Sequence, residues 1–286
     1  MLLAMAAMWG SAYMFMKIGV ATVAPATLVA GRLVLAAVVL YAVMRARGLR
    51  LPPAGRRWLP FLALAVMGNC LPFYLITWGQ QFIDTALAGI LISIMPLATM
   101  LLAHFFVAGD RMTLARVAGV ATGFAGIVVL MGPAAHTAFG GSTAMAQLAV
   151  LGGALCYAGN SVLARRTITA DFLVATTAVL VAAAALMVPV ALVLDHGRTL
   201  NPSAASMASI VWLGIGPTAL ATLLYFQLIA AAGPTFMANV NYLSPVVALL
   251  AGVLLLGEHP DVAAIGALML ILLGIALSHR SPTRLA

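Results

Sequence analysis

The chain is written in long apolar stretches, and its sparse polarity falls mostly between them. Runs free of any charged residue cover 58–83, 85–109, 117–164, 172–194 and 199–257. None alternates apolar and polar positions in the manner of a membrane barrel strand. Each is apolar on every helical face, the pattern of a buried or membrane-spanning helix. A helix that crosses a bilayer needs about 20 such residues. Charges, prolines and glycines cut the chain into ten segments of that order, at 2–20, 25–44, 58–82, 85–107, 113–131, 144–164, 171–194, 205–231, 235–256 and 261–278. Two of the uncharged runs must each hold two spans. The first is expected to break from Gly132-Pro133 through Thr143, the second at Gly233-Pro234, a strong turn signal. No basic stretch precedes the first segment and no cleavage-type site follows it. Residues 2–20 are therefore expected to be a retained span and not a removable signal.

Composition narrows the class further. Apolar residues make up 64% of the 286 and charged residues 7%, against roughly 25% charged in a soluble domain. Disorder would require the opposite balance. The net charge of +8 would suggest nucleic acid in a soluble protein; in an all-α membrane protein the basic residues mark topology, and no nucleic-acid partner is expected. With ten spans, one side collects Arg45, Arg47, Arg50, Arg56, Arg57, Arg111, Arg116, Arg165, Arg166, Arg280 and Arg284, eleven of the fourteen basic residues. The opposite loops hold only Arg198, with Lys17 near the end of segment 1 and Arg32 inside segment 2. The positive-inside rule then places both termini in the cytoplasm. Cys70 and Cys156 fall within apolar segments and read as small buried hydrophobes.

The segments repeat. Residues 88–110 resemble 238–258: Pro96 aligns with Pro245, and Gly109-Asp110 with Gly257-Glu258, at offsets of 149 and 148 residues. Trp9 and Lys17 precede Tyr157 and Arg165 by 148 residues as well. The chain thus divides into a first five-helix repeat at 1–131, a connecting loop at 132–143 and a second repeat at 144–286, in one integral membrane domain. Five is odd, so the second repeat enters the membrane inverted. Inverted repeats can exchange conformations and open a central site to alternate sides, the logic of a secondary transporter.

Trp9-Gly10-Ser11, Arg32 and the doubled proline–apolar helix–glycine–acid stretch carry a resemblance to the drug/metabolite transporter superfamily, in its ten-span EamA type. The first repeat departs with Asp110 where Glu is usual, and segment 7 lacks an arginine matching Arg32. The resemblance covers nearly the whole chain. It implies a bacterial inner-membrane carrier that exports small metabolites, with amino acids, aromatic or neutral ones included, as the substrate class. Carriers of nucleosides, sugars or drugs in the same superfamily and a non-transporting membrane sensor are the alternatives.

A substrate in such a fold sits near the midplane between the repeats. Pro72, Pro96, Pro217 and Pro245 lie mid-segment, where a lost helical hydrogen bond opens the backbone and shapes a gate. In segment 3, Asn69, Tyr74, Trp78 and Gln81 share a broad face by spacing. Segment 9 offers Asn241, Tyr242 and Ser244 ahead of Pro245, and Ser93 occupies the matching stretch ahead of Pro96. Segment 1 offers Trp9, Ser11 and Tyr13; segment 6 offers Tyr157, Asn160 and Ser161. An amide facing lipid is costly, so Asn69, Asn160, Asn239 and Asn241 should face protein or water. Lys17 is expected to snorkel to the outer surface. Arg32 stays charged and needs carbonyl or carboxylate partners; a structural role is preferred there, with substrate binding as the alternative.

No acid falls in the middle of a segment. Asp84, Asp195, Glu258 and Asp261 lie at outer ends, Asp110 and Asp171 at inner ends. A proton-driven pump for lipophilic cations would want a carboxylate at membrane depth, so a neutral pathway for zwitterions or uncharged metabolites is favoured. Enzyme classes find no support. The clustered aspartates that a prenyltransferase needs for Mg²⁺ are missing. His104, His136, His196, His259 and His279 all sit near segment ends, away from any serine dyad. No cofactor or metal is expected, and oligomeric state is left open.

Overall fold

A backbone surrounded by lipid must satisfy its own hydrogen bonds, so apolar segments of this length become helices. A computed structural model describes residues 1–107, 112–137, 142–167, 171–196, 201–225, 227–228, 231 and 240–279, without the side chains of 130–137, 165–167, 242 and 279. Among the described residues there are helices and no strand.

Helix α1 (Leu2–Val20) turns into α2 (Pro25–Ala46), where Pro25 occupies the first helical position and forfeits no bond. A 3₁₀ turn at Arg56–Trp58 opens α3 (Leu59–Ala65), which passes through a π-helical stretch, Val66–Cys70, into α4 (Leu71–Gly79). Next come α5 (Thr85–Ile92) and α6 (Met95–Phe106), separated at Ser93 and Ile94 just ahead of Pro96. Then follow α7 (Leu114–Thr137), α8 (Ser142–Thr167) and α9 (Phe172–Leu194). Helix α10 (Ala204–Leu213) runs into a second π-helical stretch, Gly214–Leu220, and α11 (Val240–Leu256) and α12 (Val262–His279) complete the described chain.

Seven of these helical runs are long and apolar enough to cross a membrane: Leu2–Val20, Pro25–Ala46, Arg56–Gly79, Thr85–Phe106, Ser142–Ala164, Phe172–Leu194 and Ala204–Tyr225. Three further apolar helices are shorter, Leu114–Val129, Leu243–Leu256 and Val262–Ser278. Two local expectations are corrected. Helix α7 continues past Gly132-Pro133 to Thr137, and α11 runs unbroken through Pro245. A proline removes one hydrogen bond from a membrane helix, and neighbouring helices can compensate without a break. The stretches around Gly109-Asp110, Gly233-Pro234 and Asn239, and residues Arg111, Arg198, Arg280 and Arg284, lie outside the described residues.

The packing pairs are patterned. α2 lies on α9, α7 on α12, and α5 on α11. α1 packs on α11 and α10, while α8 packs on α6 and α4. The second π stretch rests on α2, and the first rests on α9 and α8. Lipid tails are as apolar as leucine, so these contacts depend on close fit rather than on escape from water. Glycines supply the fit: a Cβ on Gly10 would meet Val247 at 2.5 Å and the Ser244 carbonyl at 2.7 Å, and one on Gly89 would meet the Ala248 Cβ at 2.6 Å.

Candidate functional site

The five acids among the described residues all work at helix ends. Asp171 accepts from the amides of Leu173 and Val174, and Asp261 from that of Ala264, at the starts of α9 and α12. Asp195, just past α9, reaches across to α2 and accepts from the Thr27 amide and hydroxyl, each at 2.7 Å. Glu258, just past α11, accepts from the amides of Thr85 (2.7 Å) and Ala86 (3.0 Å) at the start of α5. A carboxylate is favoured at a helix N-terminus, where amides lack partners and the dipole is positive. Lys17 Nζ, in the last turn of α1, donates to the Ile83 carbonyl at 2.6 Å and pairs with Asp84 at 3.4 Å. Thr22 bonds Ser206 at 2.8 Å, and Ser206 donates to the Ile18 carbonyl. The contacts of Asp195, Glu258, Lys17 and Thr22 gather at one end of the bundle and form a latch there, whereas Asp171 caps α9 at the opposite end.

Away from that end, a second polar group surrounds Arg32, which is only 3% exposed. Its Nε and Nη2 donate to Thr218 Oγ1 at 3.3 and 2.8 Å, and Nη1 contacts the Met16 sulfur at 3.8 Å. The guanidinium carbon stands 3.8 Å over the ring of Phe73, a cation–π arrangement. Phe73 meets Tyr157 edge-on, with centroids 6.3 Å apart. The phenols of Tyr13 and Tyr157 lie within electrostatic reach of the guanidinium. Thr77 donates to the same Met16 sulfur at 3.3 Å. Thr218 belongs to the second π stretch, and its own hydroxyl proton goes to the Leu213 carbonyl at 2.7 Å. An inserted π turn thus carries the hydroxyl that meets Arg32, in keeping with the frequency of such insertions at functional sites.

The sequence-predicted residues are partly united by this geometry. Trp9 Nε1 donates to the carbonyl of Pro217, inside the second π stretch, at 3.1 Å, and its ring lies 6.2 Å from that of Tyr225. Asn160 faces Gly68 of the first π stretch, next to half-buried Asn69, and its Oδ1 is buried with no hydrogen-bond partner among the described residues. The Ser244 hydroxyl is likewise buried and unpartnered, on the α11 turn that touches Gly10. Asn241 sits half-buried in the first turn of α11, and the Tyr242 side chain lies outside the described residues. Other residues go elsewhere. Ser11 and Ser93 donate to carbonyls on their own helices, Met8 and Ile90. Tyr74 packs into the α2–α9 core. Trp78 meets Phe82 at a tilted angle near the latched end, and Gln81 is exposed in the turn beyond α4. Pro72 opens α4 directly after the first π stretch. Gln80, buried and unpartnered, Phe73 and Thr218 were not among the expected site residues; the one sequence signal for Thr218 is its place beside Pro217.

Apolar helices of membrane length, latched by acids at one end and holding an arginine among aromatic rings, define a polytopic membrane protein with a polar interior. No cluster of metal-ligating side chains occurs among the described residues. The chain belongs to the EamA-like transporter family, which matches residues 1–132 and again 144–280; it is a membrane transporter. It is 31% identical, over 95% of its length and 90% of the relative's, to a protein of Streptantibioticus cattleyicolor named "Probable terminal-alkyne amino-acid exporter". The inner membrane transporter YedA of Escherichia coli is 26% identical over 90% of this chain and 82% of its own. A transporter of Archaeoglobus fulgidus is 27% identical over 93% of both. A solved crystal structure superposes with a TM-score of 0.70 at 23% identity, covering 97% of this chain and 95% of the other, which shows a shared fold.

Proposed function

We propose that the protein is an alternating-access exporter of small zwitterionic metabolites, amino acids foremost, built from two inverted five-helix repeats in a bacterial inner membrane with both termini cytoplasmic. The three shorter apolar helices complete ten spans on this reading. The observation that carries it is the matched placement of the two π stretches. Gly214 follows Val66 by the same 148 residues that separate Trp9 from Tyr157. The packing supports it: α1 against α11 mirrors α8 against α6. Such exchangeable halves can rock around a fixed central site. The latch is then the closed extracellular gate. The amino-acid assignment draws on the name of the Streptantibioticus relative and on the buried Asn160 and Ser244 groups that lack partners among the described residues.

Purified protein in sealed liposomes should move one or more labelled amino acids faster than empty vesicles, while sugars and nucleosides equilibrate at the background rate. Movement of none of the amino acids would remove the substrate class. Accumulation that follows an imposed pH gradient would replace facilitated exchange with proton coupling. In the same assay, Asn160→Ala and Asn241→Ala should each slow flux by about tenfold or less, the worth of one neutral hydrogen bond, at unchanged expression. Unaltered flux in both would take these amides out of the pathway.

A further inference from the structure

Arg32 is a cation for which the described residues offer no anion. The single ion pair among them, Lys17 with Asp84, lies at the latched end. A guanidinium has five N–H donors arranged as a planar fork, and here that fork meets one hydroxyl, Thr218, and one thioether, Met16. It cannot relieve its burial by losing the proton. Seven residues into α2 it lies roughly 10 Å along the helix from Pro25, in a setting where ionisable groups are costly and mark solute pathways. The aromatic face of Phe73 softens that cost on one side without filling the fork. Phe73, Tyr13 and Tyr157 are half-buried around it.

We propose, on the transport reading above, that Arg32 is the anion subsite of the pathway and receives the carboxylate of the solute. A carboxylate is the planar, two-oxygen partner that the guanidinium fork binds in a bidentate manner. The Asn160 Oδ1, buried and unpartnered, stands one helical turn from Tyr157 on α8 and is an acceptor for the ammonium of the same zwitterion. Carboxylate at Arg32 and ammonium at Asn160 account together for an orphan cation and an orphan acceptor. The occupant would also touch both halves of the chain, since Arg32 comes from α2 and its partner Thr218 from the second π stretch. Binding would therefore report directly on how the halves sit against each other.

The test is thermal melting of the detergent-purified full chain with L-phenylalanine and L-leucine, each against its own amide, and with inorganic phosphate, run beside liposome flux of the two amino acids. The acids should raise the melting temperature and the amides should not. Arg32→Gln should raise the half-saturating concentration of the acid at least tenfold and abolish the preference over the amide, with Arg32→Lys falling between. Should Arg32→Gln fail to fold, the acid-to-amide comparison on the native protein and Thr218→Val, which withdraws the hydroxyl that orients the fork, still decide the matter. Equal stabilisation by acid and amide, stabilisation by phosphate alone, or an unchanged preference in Arg32→Gln overturns the subsite, and flux of an amino acid in that case leaves transport standing. Stabilisation by the acid without any flux keeps the subsite and overturns transport. Neither stabilisation nor flux with either amino acid overturns both.

Discussion

Gly274→Leu should leave the protein unable to form a stable bundle, while Gly266→Leu on the same helix should melt like the native protein. The difference follows from what each glycine faces. A Cβ on Gly274 would meet the Gly119 carbonyl at 2.5 Å and the Gly123 amide at 2.8 Å, and one on Gly119 would meet the Gly274 carbonyl at 2.5 Å. These are backbone atoms, which cannot rotate away as a side-chain tip can. Gly126 continues the same contact, with the Ala267 carbonyl 3.0 Å from where its Cβ would lie. Gly266, by contrast, has nothing within 4 Å of an added Cβ. Small residues are what allow membrane helices to approach closely enough for dispersion and backbone contacts to hold them. Forcing a leucine between α7 and α12 should cost about 3 kcal/mol or more, the upper range for overpacking. Size-exclusion melting curves in detergent measure it. Equal melting of the two variants would mean that close approach of α7 and α12 is not what joins them.

The helical segments and the end positions of the acids were legible in the sequence because lipid makes both obligatory. An uncharged run of about 20 residues has no alternative to a helix, and a carboxylate has no place along it. The break ahead of Pro96 was legible for a similar local reason. Pro245 carries the same signal and no break, so the proline alone does not decide it. The π stretches have no sequence mark beyond the prolines beside them. The Arg32 cage was the least legible part. Met16, Phe73, Tyr157 and Thr218 come from four separate helical runs, so no spacing along one helix pairs them. Selecting polar rings on segment 3 favoured Tyr74 over Phe73, yet one residue turns a helix by about 100°, and it is Phe73 that faces the arginine. The glycine–acid ending was visible as a repeat, but its meaning was not: Glu258 finds its partners 172 and 173 residues away in the chain.

That long reach makes Glu258 the second place where one substitution should have a large effect. Gly257, at φ +66°, turns the chain sharply after α11, in the backbone region that favours glycine. Glu258 then anchors by its amide to the Gly252 carbonyl and by its carboxylate to the first amides of α5. Glu258→Ala removes both charge-assisted bonds and leaves the Thr85 and Ala86 amides to water. At this half-exposed position the loss should be about 1–2 kcal/mol, the range of a helix cap. On the proposed mechanism, that energy holds the latched end shut, so its loss should raise the open population by about tenfold. Ile83→Cys, at a side chain buried beside the latch, in a background with Cys70 and Cys156 replaced by serine, reports the opening as a thiol-labelling rate in membranes. Glu258→Ala should raise that rate about tenfold, and Glu258→Gln, which keeps one acceptor oxygen, by less. A lower melting temperature with no change in labelling would make Glu258 a helix cap alone and would place the gate elsewhere.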